Sequence, residues 1–271
     1  MASPETDGLV AAIAARPATS AVFLDFDGTV APVIEHPEDV QLLPQIRALL
    51  PDLRDRYGLV AFISGRARDD LRALVALEGV AYAGNHGIEV QLADGRILPS
   101  RVSDDALKAV HAFAQYWSRQ GLASRGVWME HKGVSLTFHY RTADDPHAAL
   151  RHLEQSVVPA ARAAELVVAA GRMSLEIHPS ASVHKGSAAD ALLDEQPQIR
   201  QAISFGDDRT DADVWRALRA RVADRRLDRA VAVAVISQES PAVVRAQSDI
   251  HVQGVEGTLQ LLGSLTAHQT P

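Results

Sequence analysis

This 271-residue sequence lacks several residue types and segments, and each absence narrows the class of protein that it can encode. It contains no cysteine, which excludes a disulfide framework and a thiolate metal site and favours a cytoplasmic location. No run of about 18 or more apolar residues is present, so we predict no membrane-spanning helix. The apolar stretch 9–15 is short and follows acidic residues, which is the wrong charge pattern for a secretory leader.

The chain also lacks an excess of basic residues. Its formal net charge is −7, with 27 Lys and Arg against 34 Asp and Glu, and no basic block is present. Because nucleic acid binding requires clustered Lys and Arg, we expect neither nucleic acid nor a membrane as a partner. The hydrophobic fraction of 47% and the length are typical of a globular protein of one or two domains. We expect a monomer that acts on a small molecule.

Short apolar runs alternate with amphipathic segments at both ends of the chain. Strands that are buried on both faces of a parallel sheet are continuously apolar, and on this pattern we predict strands over residues 21–26, 59–63, 80–83, 202–205, 231–235 and 250–252. Helical spacing predicts helices over residues 44–57, 67–77, 185–194, 211–221 and 257–265. Pro51 is expected to break or kink the first of these helices. The alternation predicts an α/β fold with a Rossmann-like, doubly wound parallel sheet.

The pattern changes in the middle of the chain. Ser103 precedes two acidic residues and is a typical helix start. The order is helix, hairpin, helix, hairpin, with helices over residues 103–120 and 146–163 and strands over residues 127–130, 135–141, 166–170 and 173–178. This repeat predicts an α+β domain of two helices on one face of a four-stranded antiparallel sheet. We therefore predict a core of residues 1–101 and 180–271 and an inserted domain of residues 102–179.

Strand periodicity assigns the side chains of the inserted sheet to two faces. Alternate residues point to opposite faces, so one face should be apolar and pack on the helices, with Leu136, Phe138, Tyr140, Leu175 and Ile177. The other face should be polar, with Thr137, His139, Arg141, Ser174, Glu176 and His178. A face with Arg and Glu must meet water or a polar ligand. The tryptophans, Trp117, Trp128 and Trp215, are expected in cores.

Carboxylates follow two of the predicted parallel strands. Asp25 and Asp27 come at the end of the first strand, and the cluster Asp207, Asp208 and Asp211 follows the strand 202–205. Ligands bind at this end of an open α/β sheet, so we expect these carboxylates to share one pocket. Their repulsion requires a cation, and a ligand set of oxygen atoms alone points to Mg²⁺.

Two further segments supply groups that suit phosphate. Ser64, Gly65 and Arg66 follow the second strand, where a hydroxyl and helix N-terminal N–H groups could bind phosphate. Lys185 and Gly186 are predicted to begin a helix. The positive end of a helix dipole disfavours a lysine there, so its presence points to a function. Taken singly, each segment is more often a helix cap or a surface lysine, and Asp-x-Asp-Gly is more often a turn or part of a calcium loop. Together and in this order they favour a catalytic site.

This set of residues suits a phosphatase. Phosphate monoesters hydrolyse very slowly without a catalyst, and a carboxylate nucleophile divides the reaction into two displacements. Asp25 would attack phosphorus, and Asp27 would protonate the leaving alcohol and then deprotonate water. Mg²⁺ and Lys185 would offset the charge on the phosphoryl oxygens.

The motifs Asp-Phe-Asp-Gly-Thr, Ser64, Lys185-Gly186 and Gly-Asp-Asp, over nearly the whole chain, resemble in type and order those of the haloacid dehalogenase (HAD) superfamily. This resemblance implies that Asp25 is the nucleophile and Asp27 the general acid and base. It also implies that Asp25, the Asp27 carbonyl and Asp207 hold Mg²⁺, with Asp208 in support.

A finer resemblance is to the trehalose-6-phosphate phosphatase family. It is carried by Gly206–Asp211, by Met-Glu-His-Lys at 129–132 with His-Tyr-Arg at 139–141, by Ser-Leu-Glu-Ile at 174–177 and by Asn-His-Gly-Ile-Glu at 85–89. It implies that the inserted domain is a cap whose sugar-binding residues are Glu130, Lys132, Arg141 and Glu176. Arg66 and His86 join the candidate substrate-binding residues. Ala212 departs from the pattern, because the family often has an acid there.

Other interpretations remain beside this one. The charged residues of the inserted sheet could be cross-strand ion pairs on a solvated face. The substrate could be another sugar phosphate, such as a sucrose or glucosylglycerol ester. A phospho-aspartate signalling module also clusters acids with a lysine, although the inserted domain and the length argue against it. A sugar-phosphate sensor without turnover is a further alternative.

Overall fold

The computed structural model of the chain describes residues 4–34, 39–171, 173–179, 182–238 and 240–267. The chain divides into two compact units, Met1–Pro99 with His184–Pro271 and Ser100–Val183. These borders lie close to the domain boundaries expected at residues 102 and 179, which stay a prediction. Each unit has its own hydrophobic core.

The described residues form two sheets and nine α-helices. The strands are β1 (Ser20–Leu24), β2 (Leu59–Ile63), β3 (Ala81–Gly84), β4 (Glu89–Gln91), β5 (Trp128–His131), β6 (Leu136–His139), β7 (Val167–Gly171), β8 (Ser174–His178), β9 (Gln201–Gly206), β10 (Arg229–Ile236) and β11 (Ile250–Gln253). The helices are α1 (Pro4–Ala14), α2 (Pro44–Arg56), α3 (Arg68–Val75), α4 (Asp104–Trp117), α5 (Pro146–Ala163), α6 (Lys185–Asp194), α7 (Asp211–Ala223), α8 (Ala242–Ala246) and α9 (Gly254–Thr266).

The first unit is built on a seven-stranded sheet in the order β11-β10-β9-β1-β2-β3-β4. Neighbouring strands are parallel, apart from the antiparallel pair of β3 and β4. In the central strand, Val22 pairs with Val60 on one side and with Ile203 on the other. The α/β class and the Rossmann-like parallel sheet are confirmed.

Both faces of this sheet are buried, which explains why its strands are continuously apolar. In β1, Val22 and Leu24 belong to one core with α1, α2, α3 and α9. Ala21 and Phe23 point the other way, into a second core that contains residues of α6, α7 and α8. All five residues of β1 are buried, so its carboxyl end lies within the packed sheet.

Some elements differ from the sequence predictions. Helix α2 continues through Pro51, because Leu50 and Leu53 beside it are buried in the core and their packing outweighs the lost hydrogen bond. The short antiparallel strand β4 and the helices α1 and α8 were not predicted. Strand β4 has only three residues, too few for a periodic pattern to reveal.

The second unit contains a four-stranded antiparallel sheet in the order β5-β6-β8-β7, with the helices α4 and α5. Its core includes the five residues that strand periodicity assigned to the helix side: Leu136, Phe138, Tyr140, Leu175 and Ile177. The predicted cap is present, since the Ser103 side chain accepts a hydrogen bond from the Ala106 N–H at 3.3 Å. The inserted α+β architecture is confirmed.

The three tryptophans do not share one environment. Trp117 and Trp215 are buried, as predicted. The prediction for Trp128 is wrong, because this residue is 39% exposed. It lies on the edge strand β5 opposite His139, in register with the polar face, and its ring stacks on the imidazole at 4.0 Å between centroids.

None of the described helices is both long enough and apolar enough to span a bilayer.

Candidate active site

Three parallel strands bring the first site residues to one edge of the sheet. Asp25 follows β1, Ser64 follows β2, and Asp207 follows β9. Because β1 lies between the other two strands and all three are parallel, their carboxyl ends are neighbours. The Asp25 N–H donates to the Phe205 carbonyl at 3.1 Å, which ties the first loop to the end of β9.

Lys185 connects the acidic residues of this edge. Its Nζ donates to Asp25 Oδ1 and to Asp211 Oδ1, both at 2.7 Å. The three residues are between 2% and 5% exposed. Lys185 is also the first residue of α6, where the positive end of the helix dipole disfavours a cation. Its place there depends on the two carboxylates.

Burial and charge act in opposite directions on this pair. Burial raises the pKa of the Asp25 carboxyl to about 7, although Lys185 lowers it, and the charges of Asp211 and Asp27 raise it further. Burial alone would lower the pKa of Lys185, but attraction to Asp211 and Asp25 outweighs burial and raises it above its ordinary value. Lys185 is therefore a fixed positive charge, and Asp25 lacks full compensation from protein groups.

Asp211 has a structural position that the sequence analysis did not assign. While Oδ1 accepts from Lys185, Oδ2 accepts the N–H groups of Asp207 and Asp208, both at 3.0 Å. It is also the first residue of α7, where the positive end of the helix dipole stabilises a carboxylate. A Cβ on Gly206 would lie 2.2 Å from the Asp211 side chain, so only glycine fits there. The acidic residue at the sixth position of the segment that begins with Gly-Asp-Asp could have signalled this role.

The residues at this edge fit a divalent cation. Asp25, Asp207 and Asp211 each have a carboxylate oxygen within 4.8 Å of the others, and all three are buried. Gly28, at φ +82°, leaves room for Asp207, because a Cβ there would lie 2.0 Å from Asp207 Oδ2. Buried carboxylates with one lysine among them suit a hard cation with oxygen ligands. This group could hold a metal.

Asp208 lies in the same loop but differs from its neighbour Asp207. It is half-buried, and its Oδ1 accepts from the Arg209 N–H at 2.7 Å, which stabilises the loop. Among the described residues, the group with metal-ligand spacing at this edge contains Asp211 and not Asp208. The support that the sequence analysis assigned to Asp208 stays a prediction.

Asp27 and Arg66 form a bidentate ion pair. Arg66 Nε donates to Asp27 Oδ2 and Arg66 Nη2 to Asp27 Oδ1, both at 2.7 Å. The Arg66 side chain is 15% exposed and the Asp27 side chain is 36% exposed. The sequence analysis placed Arg66 among the substrate-binding residues and did not foresee this pairing, because 39 residues separate the two positions.

The loops after β2 and β3 are joined by backbone hydrogen bonds. The His86 N–H donates to the Ser64 carbonyl at 3.0 Å, and the Asn85 N–H donates to the Arg66 carbonyl at 2.7 Å. The His86 ring lies against Gly65, where a Cβ would be 2.6 Å from His86 Nε2. The loop after β2, with Ser64 and Gly65, therefore packs against the loop after β3, with His86.

In the second unit, charged side chains lie along the polar face of the antiparallel sheet. Glu130 Oε2 is 3.0 Å from His139 Nε2 and 3.6 Å from Lys132 Nζ. Glu130 and Glu176 both pair in register with Thr137, so their side chains share this face. These contacts include two predicted sugar-binding residues, Glu130 and Lys132, and one residue, His139, that was not assigned a role.

Two further predicted residues lie near the central strands of that sheet. Glu176 Oε2 is 3.3 Å from His178 Nε2, and both residues belong to β8. Arg141 follows the end of β6 by two residues and is half-buried. The second unit therefore has a face rich in hydrogen-bonding groups, half-buried and suited to a polar ligand.

Known proteins resemble the chain over most of its length. A family model described as trehalose-phosphatase matches residues 23–249. A trehalose-phosphate phosphatase of Mycobacterium bovis is 34% identical over 217 residues, which are 77% of this chain and 52% of that protein. A Mycobacterium tuberculosis protein named as an uncharacterized glycosyl hydrolase is 33% identical over 205 residues, which are 73% of this chain and 15% of that protein. The chain spans about half the length of the curated trehalose-phosphate phosphatases that it matches.

Solved structures share the fold. The C-terminal domain of trehalose-6-phosphate phosphatase from Candida albicans has a TM-score of 0.74 at 20% identity and covers 96% of both chains. A haloacid dehalogenase-like hydrolase from Bacteroides thetaiotaomicron has a TM-score of 0.62 at 12% identity, with 90% of this chain and 98% of that chain covered. At such identities the likeness shows the fold alone, a HAD-type α/β core with an inserted α+β unit.

Proposed function

The chain belongs to the trehalose-phosphatase family, and we propose that it hydrolyses trehalose 6-phosphate to trehalose and inorganic phosphate. The observation that carries this proposal is the buried contact of Lys185 with Asp25 and Asp211 at the carboxyl edge of the parallel sheet. A phosphatase of this type needs an unblocked carboxylate beside fixed positive charge, since the substrate is itself an anion.

The reaction proceeds in two displacements. In the first, an oxygen of Asp25 forms a bond to phosphorus while the bond from phosphorus to the sugar oxygen breaks, and Asp27 gives its proton to that oxygen. In the second, water attacks phosphorus, a proton of the water passes to Asp27, and the bond between Asp25 and phosphorus breaks. Free phosphate and an unmodified Asp25 result.

Other residues of the same edge bind the phosphoryl group. Lys185 holds Asp25 in place and supplies positive charge to the phosphoryl oxygens. Ser64 and Gly65, at the end of β2, offer a hydroxyl and an N–H group for hydrogen bonds to phosphate. These roles follow from the residue types and from the position of the two loops.

Mg²⁺ is the cofactor we propose. Asp25, Asp207 and the main-chain carbonyl of Asp27 would hold it, with Asp208 in support and with Asp211 close enough to take part. A bound Mg²⁺ would supply positive charge that brings an anionic nucleophile and an anionic substrate together. The raised pKa of Asp25 supports this assignment, because protein groups alone do not compensate the carboxylate.

The inserted domain is the proposed source of sugar specificity. Glu130, Lys132, Arg141 and Glu176 would donate and accept hydrogen bonds to sugar hydroxyls. Support comes from the polar face that carries Glu130 and Glu176 in register with Thr137. Hydrogen bonds to charged groups give discrimination, because a wrong sugar leaves a buried charge without its partner. His86 is a further candidate for substrate contact.

Phosphate release from a panel of sugar phosphates tests this function. The purified chain is given trehalose 6-phosphate, sucrose 6-phosphate, a glucosylglycerol phosphate and glucose 6-phosphate, each with Mg²⁺ and with a chelator. We expect the highest kcat/KM for trehalose 6-phosphate and no turnover without metal. Equal rates on all sugars would reject the trehalose assignment and leave a general sugar phosphatase.

The same assay separates the remaining alternatives. One stable phosphorylation of Asp25 without turnover would indicate a signalling module. Calorimetric binding of trehalose 6-phosphate without release of phosphate would indicate a sensor. The monomeric state and the cytoplasmic location stay predictions, which light scattering and cell fractionation test.

A further inference from the structure

The ion pair between Arg66 and Asp27 has a role that substrate binding does not explain. Both guanidinium contacts are 2.7 Å long and run to the two different oxygens of one carboxylate, which is the bidentate geometry that fixes the plane of an acid. A single contact would leave the carboxylate free to rotate. Two contacts define its orientation relative to Asp25, two residues before it in the chain.

Arg66 is itself held by neighbours on three sides. The backbone N–H of Arg66 donates to Ser64 Oγ at 3.2 Å, and the backbone carbonyl of Arg66 accepts the Asn85 N–H at 2.7 Å. The guanidinium lies over the ring of Phe26, 5.5 Å from the centroid, and Phe26 is fully buried. The arginine is therefore anchored at the backbone by the loops after β2 and β3, and at the side chain by the residue between Asp25 and Asp27.

We propose that Arg66 is a positioning residue that orients the Asp27 carboxylate for proton transfer, rather than a residue that binds the sugar. A carboxylate has about four lone-pair sites, so an arginine that occupies one on each oxygen leaves the outer sites for the transferred proton. This matches the general pattern in which an acid or base is oriented by a third group. The inference rests on the proposed phosphatase function.

If Arg66 orients Asp27, the loss of kcat/KM on replacing Arg66 should depend on how basic the leaving group is. The sugar alkoxide that leaves from trehalose 6-phosphate is a strong base and needs a proton from Asp27. The p-nitrophenolate that leaves from p-nitrophenyl phosphate is a weak base and leaves without one. Because kcat/KM reports the steps up to the first bond cleavage, loss of orientation should lower kcat/KM for the sugar ester much more than for the aryl ester.

The test compares Arg66→Ala and Arg66→Lys with the unmodified protein on both substrates. We expect kcat/KM for trehalose 6-phosphate to fall about 100-fold, as for a misplaced catalytic group, and to fall no more than about threefold for p-nitrophenyl phosphate. Added guanidinium ions should partly restore Arg66→Ala. Arg66→Lys keeps the charge but not the fork, so it should stay impaired.

A double variant connects the effect to its target. If Arg66 acts through Asp27, the substitution should cost nothing further in a protein that already carries Asp27→Asn. Arg72→Ala is the matched control, because Arg72 makes an exposed ion pair with Glu78 nearby on the surface. This control should leave both substrates unaffected, and circular dichroism should show all variants folded.

Three outcomes would overturn the proposal. An equal loss on both substrates would place Arg66 on the phosphoryl group, and a rise in KM for the sugar ester alone would return it to sugar binding. Additive losses in the double variant would separate it from Asp27. Failure of the proposed function looks different, because the unmodified protein would then not turn over trehalose 6-phosphate at all.

Discussion

The two units of the molecule differ in how deeply their charged side chains are buried. At the edge of the parallel sheet, four charged residues are between 2% and 5% exposed: Lys185, Asp25, Asp207 and Asp211. Lys185 contacts Asp25 and Asp211, and Asp211 accepts the backbone N–H of Asp207. On the antiparallel sheet the charged side chains are more exposed, from 10% for Lys132 and 16% for Glu176 to 34% for Glu130. The contacts of Glu130 with His139 and Lys132 lie on the polar face of this sheet.

This difference predicts how each region responds to change. A buried charge network has no water to replace a lost partner, so removing one member leaves a charge uncompensated and affects the whole set. Removing the partner of a partly exposed group costs less free energy, since water screens its charge. Substitutions should therefore act collectively at the parallel sheet and one residue at a time on the antiparallel sheet.

The largest effect is expected for Asp25→Asn. The amide has nearly the same volume but cannot attack phosphorus, so turnover of every phosphate ester should stop while the protein stays folded. Steady-state phosphate release measures this, with the thermal unfolding midpoint as the check on folding. Activity above a few per cent of the unmodified rate would contradict the assignment of the nucleophile.

Lys185→Met tests the network itself. It leaves Asp25 and Asp211 buried without their lysine, and we expect the free energy of unfolding of the metal-free protein to fall by about 3–5 kcal/mol at pH 8. Urea unfolding measures it. The matched control is Lys108→Met, because Lys108 pairs with Asp105 at 2.8 Å on an exposed surface, and its loss should stay within about 0.5 kcal/mol. Equal losses for the two lysines would remove the contrast between the regions.

A smaller and more selective effect is expected for Glu176→Ala. Loss of a charged hydrogen bond to the sugar costs about 1.5–3 kcal/mol, which should raise KM for trehalose 6-phosphate about 10- to 100-fold. The kcat/KM for p-nitrophenyl phosphate should not change. Glu154→Ala, on the exposed side of α5, is the control of equal charge. A loss shared by both substrates would argue against a sugar-binding role.

The most gradual effect concerns pH, with a change of about tenfold for one pH unit. Burial raises the pKa of Asp25 to about 7, so this carboxyl is protonated in the metal-free protein below that pH. Because a metal binds the carboxylate and releases the proton, Mg²⁺ affinity should be constant above about pH 7 and fall about tenfold for each pH unit below it. Calorimetry in buffers of different ionisation enthalpy measures the released proton. An affinity independent of pH between 5 and 8 would contradict the combination of a raised Asp25 pKa and a ligand role for this carboxylate.

Helices and strands whose ends and periodicity are marked in the local sequence were predictable. Helix α5 occupies the predicted residues 146–163, because Asp145 caps it and Pro146 begins it. The two faces of the β6 and β8 strands were predictable as well, since a period of two assigns every side chain. Strand β4 was not, because three residues carry no period.

The candidate site was predictable only in part. Asp25, Asp207 and Lys185 were found because each follows or opens a recognisable element. Asp211 was placed in the acidic cluster but was given no role of its own, because its two backbone contacts form only when the loop after β9 closes. Trp128 was assigned to a core from residue type alone, but its position on an edge strand exposes it.

The sequence by itself determined the order of strands and helices, the inserted unit and the residue types of the site, because periodicity and caps are local properties of the chain. Only the tertiary structure decided which charges meet. Lys185 lies 160 positions from Asp25 and Arg66 lies 39 positions from Asp27, and these contacts arise from the pairing order of the strands. Pairing order depends on packing across the whole sheet, which no single segment encodes.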